Sequence, residues 1–515
     1  MKNKICAFLA FALFALMVAP IVNLSSGTVS SRPKDIEWWD TSVLYNMDFA
    51  LPLLGGIYYS LGISLSPEKV VIGKDGWLFL GDGFGNAISV KRKGVTSEGE
   101  VLLDKVADSG SAWEAWYTKN GVKAYRVIIG PDKDSIYHEK MPAWASHASP
   151  SLTDALMKKV RAGLYINPKK ALLQEKEVFN KPLYYKTDTH WNSLGAWVAF
   201  NQLSENVSHT QPEISWPDRR MSNSLSATAR PGGDLANFQR IENYITDQEI
   251  VLDAFSTDPI PVKQYDFKTG KLLSSGNNSV IGAPRNPLLV TSTKALNHKK
   301  VLWIRDSFGT AMAPYFAATF TETLQIHLQA VTPELVASLV KKFKPDFVFV
   351  TTVERDSLYV YFNSFPPMSI SDNRDEFLSL AHGNILSLND FSTMDDPDSY
   401  KVTGNDPFIV FKLSKGVKPN EAEHLAFELK CPNSSNKIPV QLLWREKNTD
   451  FSETNSVYIS ANQGVTSVDI SVNPAWAKSH EITDLRLDLE SPSGCQTAKI
   501  KNFEVGLIQK PKTSE

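Results

Sequence analysis

At 515 residues, with 42% hydrophobic and 21% charged residues, the chain is globular and too long for one ordinary core, so two or three domains are expected. A net charge of −2 argues against a nucleic-acid binder, which would carry a basic face. Three Cys exclude a disulfide scaffold, and the absence of CxxC or Cys/His spacing leaves no metal site to expect.

Lys2 and Lys4 precede an uncharged apolar run from Ile5 to Val22. As a helix that run is about 27 Å long, enough to cross a hydrocarbon core. No small-x-small cleavage site precedes Asn23, which favours an uncleaved anchor over a cleaved signal peptide, with the rest of the chain exported. Residues 25–60 read as irregular. Val70 to Phe79 reads as a hairpin turning at Lys74, Asp75 and Gly76. Val101, Leu102, Val106, Trp113, Trp116 and Tyr117 recur at helical spacing, with Gly121 as the stop. A buried strand over 124–130 then ends in a polar loop, 131–137. Ligands of open α/β sheets bind at such carboxyl ends.

In YYKTDTHWNSLGAWVAF (184–200), Asp188 and His190 stand two apart. On an extended segment they share one side, so the carboxylate can fix the imidazole tautomer and leave Nε2 free as a base. No HxxxH or carboxylate cluster completes a metal site. Asn192 or Ser193 caps the helix that follows. Residues 205–298 are polar and rich in turn formers, which suggests a functional loop region or lid, and they include RPGGDLANF (230–238).

KKVLWIRDSFGTAM (299–312) is a strand that stops abruptly on Ser307 and leads into a helix-compatible stretch. Such a turn lifts a hydroxyl off the sheet and sets backbone N–H groups beside it. A helix from Thr332 to Phe343 and a buried strand over 346–354 follow, read as a direct parallel crossover that brings Glu354 and Arg355 to the same edge as Ser307. From about 395 the chain breaks into short alternating strands, the pattern of a β-sandwich. Cys431 and Cys495 lie there and can pair in an oxidising compartment. Trp444, Tyr458 and Trp476 read as core or as platforms for sugar rings.

PDKDSIY, KTDTHWNSLGAW, GGDL, the RDSFG turn and KPDFVFVTTVERD occur in the same order as in the alginate O-acetyltransferase family. These are SGNH-hydrolase-like exported enzymes of exopolysaccharide modification. VVIGKDGWLF also resembles that family's N-terminal signature, so the resemblance covers roughly 70–360. It implies an α/β fold, an SGNH-hydrolase-like parallel sheet flanked by helices, followed by a carbohydrate-binding-like β-sandwich. The expected division is 1–27 anchor or signal peptide, 28–395 acetyltransferase domain and 396–515 sandwich. Carried over by residue, Ser307 is the nucleophile, His190 the general base and Asp188 its orienting partner, with no cofactor and no metal. Lys133, Tyr137, Trp191, Glu354 and Arg355 are expected in substrate contact or site structure. Arg305 joins them, standing where most SGNH sequences have glycine and bringing charge beside the acyl group. The implied activity is acetyl transfer onto an alginate-like polysaccharide in the periplasm, fed by a membrane-bound O-acyltransferase. The alternatives are an O-acetyl esterase or a non-catalytic polysaccharide-binding scaffold. The acceptor groove is expected to start at the carboxyl edge of the sheet and run toward the sandwich.

Overall fold

The computed structural model describes residues 2–26, 35–277, 281–371, 377–432, 437–490 and 495–508. The apolar run at the start forms helix α1 (Lys2–Ser25), the one helix among the described residues long and apolar enough to cross a membrane. Phe8, Phe11 and Phe14 are exposed on it, as a lipid-facing or signal helix requires. Asn23 Nδ2 donates to the carbonyls of Leu44 and Asn46, both at 2.8 Å. Residues 25–60, expected to be irregular, hold two further helices, Thr41–Leu44 and Leu51–Ser60. The second contains the apolar patch that composition alone left unassigned.

The buried apolar runs build one central sheet. Its strands are β1 (Ala124–Gly130), β2 (Tyr165–Ile166), β3 (Pro261–Asp266), β4 (Leu272–Asn277), β5 (Leu288–Ser292), β6 (Asn297–Arg305), β7 (Phe320–His327) and β8 (Phe347–Val353). They lie in the order β2-β1-β8-β6-β7-β5-β3-β4. Neighbours from β2 to β7 are parallel, and β5, β3 and β4 extend the sheet antiparallel. β1 and β8 are buried at every position, as strands covered on both faces must be.

Side-chain alternation divides these strands between two cores. Ile128, Val301, Trp303, Phe347 and Phe349 pack on one face with helix α3 (Ser193–Ser208). Val127, Ile129, Leu302, Ile304 and Val348 pack on the other with α2 (Ser97–Lys119) and α4 (Pro333–Phe343). Trp303 lies flat on Phe316, with ring centres 3.9 Å apart, and its Nε1 donates to Thr351 Oγ1 at 2.9 Å. Truncating it to alanine would cost about 3–5 kcal/mol. Helix starts are chemically marked: Thr96 Oγ1 accepts from Gly99 N, and Asn192 Oδ1 accepts from Leu194 N and Gly195 N.

Two expectations change here. The connection from β6 to β8 is not a direct crossover, because β7 intervenes and pairs with β6 on the side away from β8. Nor is 205–298 a loop or lid. It supplies β3, β4 and β5 together with a two-stranded sheet, Leu225–Pro231 with Thr246–Leu252. β4 is exposed throughout, so no apolar alternation marks it, and β5 is only five residues long, alternating buried with half-buried positions.

The hairpin forms as Val70–Ile72 paired with Leu78–Leu80. The C-terminal strands form an all-antiparallel sandwich whose first long strand, Phe377–Asn389, begins ahead of the expected boundary at 396. Its first half pairs with Thr497–Ile508 and its second with Phe408–Val417, so one strand serves both layers. Cys431 and Cys495 are bonded, with Cα atoms 5.2 Å apart. Trp444 and Trp476 are fully buried and meet edge to face, whereas Tyr458 is exposed. Lys119 with Asp469 and Lys478 with Asp108 join the sandwich to α2.

Candidate active site

Ser307 stands exposed between buried neighbours at the end of β6. Asp306 holds its turn. One carboxylate oxygen accepts from Phe308 N at 2.8 Å, and the other accepts from Val353 N at 2.6 Å, which ties the turn to β8. Burial pushes the Asp306 carboxyl up to about 6, although both N–H donors oppose the shift. A 3₁₀ helix, Ser307–Met312, follows before the α-helix begins. Gly309 is required there because a Cβ would stand 2.5 Å from Arg305 Cδ and 2.9 Å from the Trp303 ring. Among the described residues, no acceptor takes the Ser307 N–H.

Asp188 and His190 do not lie on a strand. They lie in a loop closed by a single bridge between Tyr184 and Trp191, with Tyr185 N donating to His190 O and Asn192 N to Leu183 O. Three carbonyls of this loop, from Tyr185, Lys186 and Asp188, converge on Lys133 Nζ at 3.1, 3.1 and 2.7 Å. From the other side Asp247 accepts from Thr187 N and Thr187 Oγ1. Asp188 Oδ1 receives both the backbone N–H of His190, at 3.1 Å, and its Nδ1, at 2.7 Å. An ionised carboxylate can only accept, so Nδ1 carries the proton and Nε2 is left to accept from Ser307 Oγ at 2.8 Å.

The charges fit this arrangement. Burial alone would raise Asp188, but the hydrogen bond and charge of His190 outweigh it and bring the carboxyl down to about 2. Burial alone would lower His190, yet its bond to Asp188 and that carboxylate's charge more than offset this, and the imidazole lies above its ordinary 6.5.

Asp234 was not singled out from the sequence, although its GGDL motif was. Its carboxylate accepts from Thr189 N at 2.8 Å and Thr189 Oγ1 at 2.6 Å, and it lies 3.9 Å from His190 Nδ1. Gly233 lets this segment approach: any Cβ there would run into the Asp188 side chain. Asp188, His190 and Asp234 offer one donor each within 4.8 Å of one another. A cation there would compete with the Nδ1 proton for the same carboxylates.

The six residues expected in substrate contact or site structure divide sharply, and five of them take a place within the structure beneath the site. Lys133 is buried beneath the loop, and burial pulls its ammonium down to about 8. Tyr137 accepts from Leu183 N, and Trp191 Nε1 donates to Phe308 O. Arg305 has no exposed surface, and its guanidinium donates to Gln325 Oε1 at 3.0 Å and Ile281 O at 2.6 Å. Glu354 is buried and accepts from Asp132 N and Ser135 Oγ, with Lys91 3.8 Å away. Arg355 alone borders the open cleft, and it is ion-paired with Asp132. The approach of β8 to the turn explains the pattern: Glu354 and Arg355 do reach the edge of Ser307, but as its floor.

That cleft has a volume of about 370 Å³. Around Ser307 and His190 it is bounded by Leu80, Phe84, Phe238, Asp234, Gln329 and Asp356. No sandwich residue lines it, so the expected groove toward that domain does not extend from the cleft itself.

Residues 70–282 match the family model "SGNH hydrolase-like domain, acetyltransferase AlgX". That range takes in Asp188, His190 and Asp234 and stops short of Ser307. A probable alginate O-acetylase AlgJ of Pseudomonas aeruginosa is 26% identical over 324 residues, 57% of this chain and 77% of the relative. The protein of the same name from Pseudomonas syringae is 26% identical over 232 residues, 42% of this chain and 54% of its own length. The chain thus spans about half of that relative. The solved O-acetyltransferase domain of Pseudomonas putida AlgJ covers 56% of this chain and 92% of its own, at 18% identity and a TM-score of 0.37. Over residues 70–282 the chain is thus similar to the SGNH-hydrolase-like acetyltransferase domain, and over 57% of its length it is similar to a probable alginate O-acetylase.

Proposed function

We propose that the chain is an O-acetyltransferase that carries acetyl on Ser307 and passes it to hydroxyls of an extracellular polysaccharide. The observation that carries this reading is His190, hydrogen-bonded at once to Asp188 and to Ser307 at 2.7 and 2.8 Å. The Ser307 hydroxyl gives its proton to Nε2 as Oγ attacks the acetyl carbonyl. The imidazolium, stabilised by Asp188, then returns that proton to the leaving oxygen, and the acetyl-enzyme forms. In the second half a sugar hydroxyl gives its proton to Nε2 and attacks. The Oγ–C bond breaks, and Oγ takes the proton back. The Ser307 N–H, which no acceptor takes among the described residues, then donates to the developing oxyanion, a donor worth about 3–4 kcal/mol in such sites.

With water as acceptor the same atoms make an esterase, and only exclusion of water separates the two. Helix α1 favours transfer, since an anchored enzyme in the periplasm meets a donor supplied by a membrane-bound O-acyltransferase. A scaffold would have no use for the ordered proton path from Asp188 to Ser307. Turnover of a small acetyl ester by the full chain, with and without oligosaccharides, tests the reading. Ser307-dependent acetyl release is expected, with acetyl appearing on sugar when sugar is present. Release that persists in Ser307→Ala would end it.

A further inference from the structure

The helix Leu51–Ser60 has two unlike sides. One is fitted to the α/β domain. Gly55 is buried there, and a Cβ on it would stand 2.2 Å from the Gln239 carbonyl oxygen and 3.0 Å from Ile241 Cγ2. One turn on, Tyr59 Oη donates to the Gly76 carbonyl at 3.2 Å. Gln239 also closes the joint beyond the helix, its Oε1 accepting from Leu65 N and its Nε2 donating to Ser64 Oγ, both at 2.8 Å. The other side carries Leu53, Leu54, Ile57, Tyr58 and Leu61, all exposed, with Leu53 and Leu61 each open over 67% of their surface. Spacings of three and four residues put them on one stripe. An amphipathic helix of a globular protein buries such a stripe. This one docks by its glycine and turns the stripe outward.

Its surroundings say what the stripe meets. The segment leading into it is fastened to the end of α1, where buried Asn23 donates to the carbonyls of Leu44 and Asn46. Between α1 and the stripe stand Trp38 and Trp39, exposed and edge to face, and exposed Tyr45, ring types that settle where lipid meets water. From Thr41 to Leu65 the chain has one charged residue, Asp48, so the face offers little charge for a protein partner to read. Resting on the reading of α1 as a membrane span, we infer that the helix Leu51–Ser60 lies flat in the lipid–water interface, with its stripe among the acyl chains. The docked side then ties that interface to the active site. Gln239, against which Gly55 rests, directly follows the short helix Asp234–Phe238, whose two end residues line the cleft. The bilayer surface thereby becomes the platform on which the cleft is held, beside a donor that emerges from the membrane.

The experiment uses the full chain in vesicles of phosphatidylethanolamine and phosphatidylglycerol. Cys6, the one free cysteine, is changed to serine. Ile57→Cys, Leu61→Cys and, on the exposed edge of the sandwich, Tyr458→Cys then each carry an environment-sensitive fluorophore. Quenching by nitroxide-labelled lipid should be about fivefold stronger from Ile57→Cys and Leu61→Cys than from Tyr458→Cys. Adding Leu53→Glu and Ile57→Glu to the Leu61→Cys chain should bring its quenching down to the Tyr458→Cys level, with circular dichroism unchanged. Quenching from Ile57→Cys no stronger than from Tyr458→Cys overturns the inference. So does a blue-shifted fluorophore that the nitroxide does not quench, which would mean that protein covers the stripe. Quenching from Leu61→Cys that survives both glutamates overturns it as well. Release of the full chain from the vesicles by alkaline carbonate would instead overturn the reading of α1 as a span, and it is scored separately.

Discussion

The α/β half and the sandwich fill their interiors differently. Among the described residues, the buried arginines and lysine, Arg126, Lys133 and Arg305, all belong to the α/β half. Beside them Lys91 contacts Asp132 at 3.0 Å and Asp134 at 2.7 Å, beneath the cleft, and His147 reaches Asp134 at 2.8 Å. The sandwich centres on apolar side chains, two perpendicular Trp rings and one disulfide. Buried ions are a poor source of stability, but removing one partner is costly. Lys133 lies under the His190 loop and Arg305 under the Ser307 turn, so two of these cations hold the geometry of the site, while Arg126 bonds Asn206 and Thr210 on α3 and just past its end. The sandwich is built to hold together.

The sharpest test of that contrast is chemical. Ser307→Ala and His190→Ala should each reduce acetyl-ester turnover about 10⁴-fold or more, with the double variant little worse, because the groups act as a unit. Circular dichroism should show both folded. In the sandwich, the disulfide closes a sequence separation of 64 residues. Replacing both cysteines by serine should cost about 4 kcal/mol in denaturant unfolding while leaving turnover per folded molecule intact. Arg305→Met should cost about 3 kcal/mol, since it strands Gln325 Oε1 and the Ile281 carbonyl. Unlike the cysteine change, it should also slow turnover, because Arg305 packs under Gly309 and the Ser307 turn.

The pH profile refines the comparison further. The reaction needs neutral His190, whose folded value lies above 6.5, so turnover should fall as pH drops through that raised value. Asp188→Asn removes the carboxylate that raises it, and the acidic limb should move to lower pH even as the rate declines. An unmoved limb would assign the titration to another group. The smallest effect is expected where the two halves meet. Lys478 is 64% exposed, and breaking its pair with Asp108 by Lys478→Ala should change stability by about 0.5 kcal/mol or less.

What the sequence revealed depended on burial. β1, β6 and β8 are continuous apolar runs, and α3 and α4 carry an apolar face with a capping residue, so each was legible. β7 was missed because Thr323 and Gln325 are polar yet buried, Gln325 being there to receive Arg305. β4 was missed because nothing covers it. Asp188, His190 and Ser307 were visible as residue types at suggestive spacing. Their convergence rests on hydrogen bonds from Lys133 and Asp247 that no local pattern encodes. The burial of Arg305 and Glu354 was not legible because charge in a sequence suggests a surface, and their partners Gln325 and Ser135 lie 20 and 219 residues away. The signal that could have revealed Asp234 was the paired glycine before it, since two glycines in succession announce a close approach.

The loop gathered around Lys133 has a consequence for how the chain matures. Its carbonyls find their shared ammonium only after the segment following β1 has docked, and His190 meets Ser307 only after β6 has joined the same sheet. Ser307, His190 and Lys133 therefore come from stretches that a chain being synthesised presents one after another. A half-folded or partly opened molecule holds a serine and a histidine but no hydrogen-bonded pair. Chemical competence is thus gated by completion of the fold, and acetyl turnover serves as a sensor of whether assembly has finished.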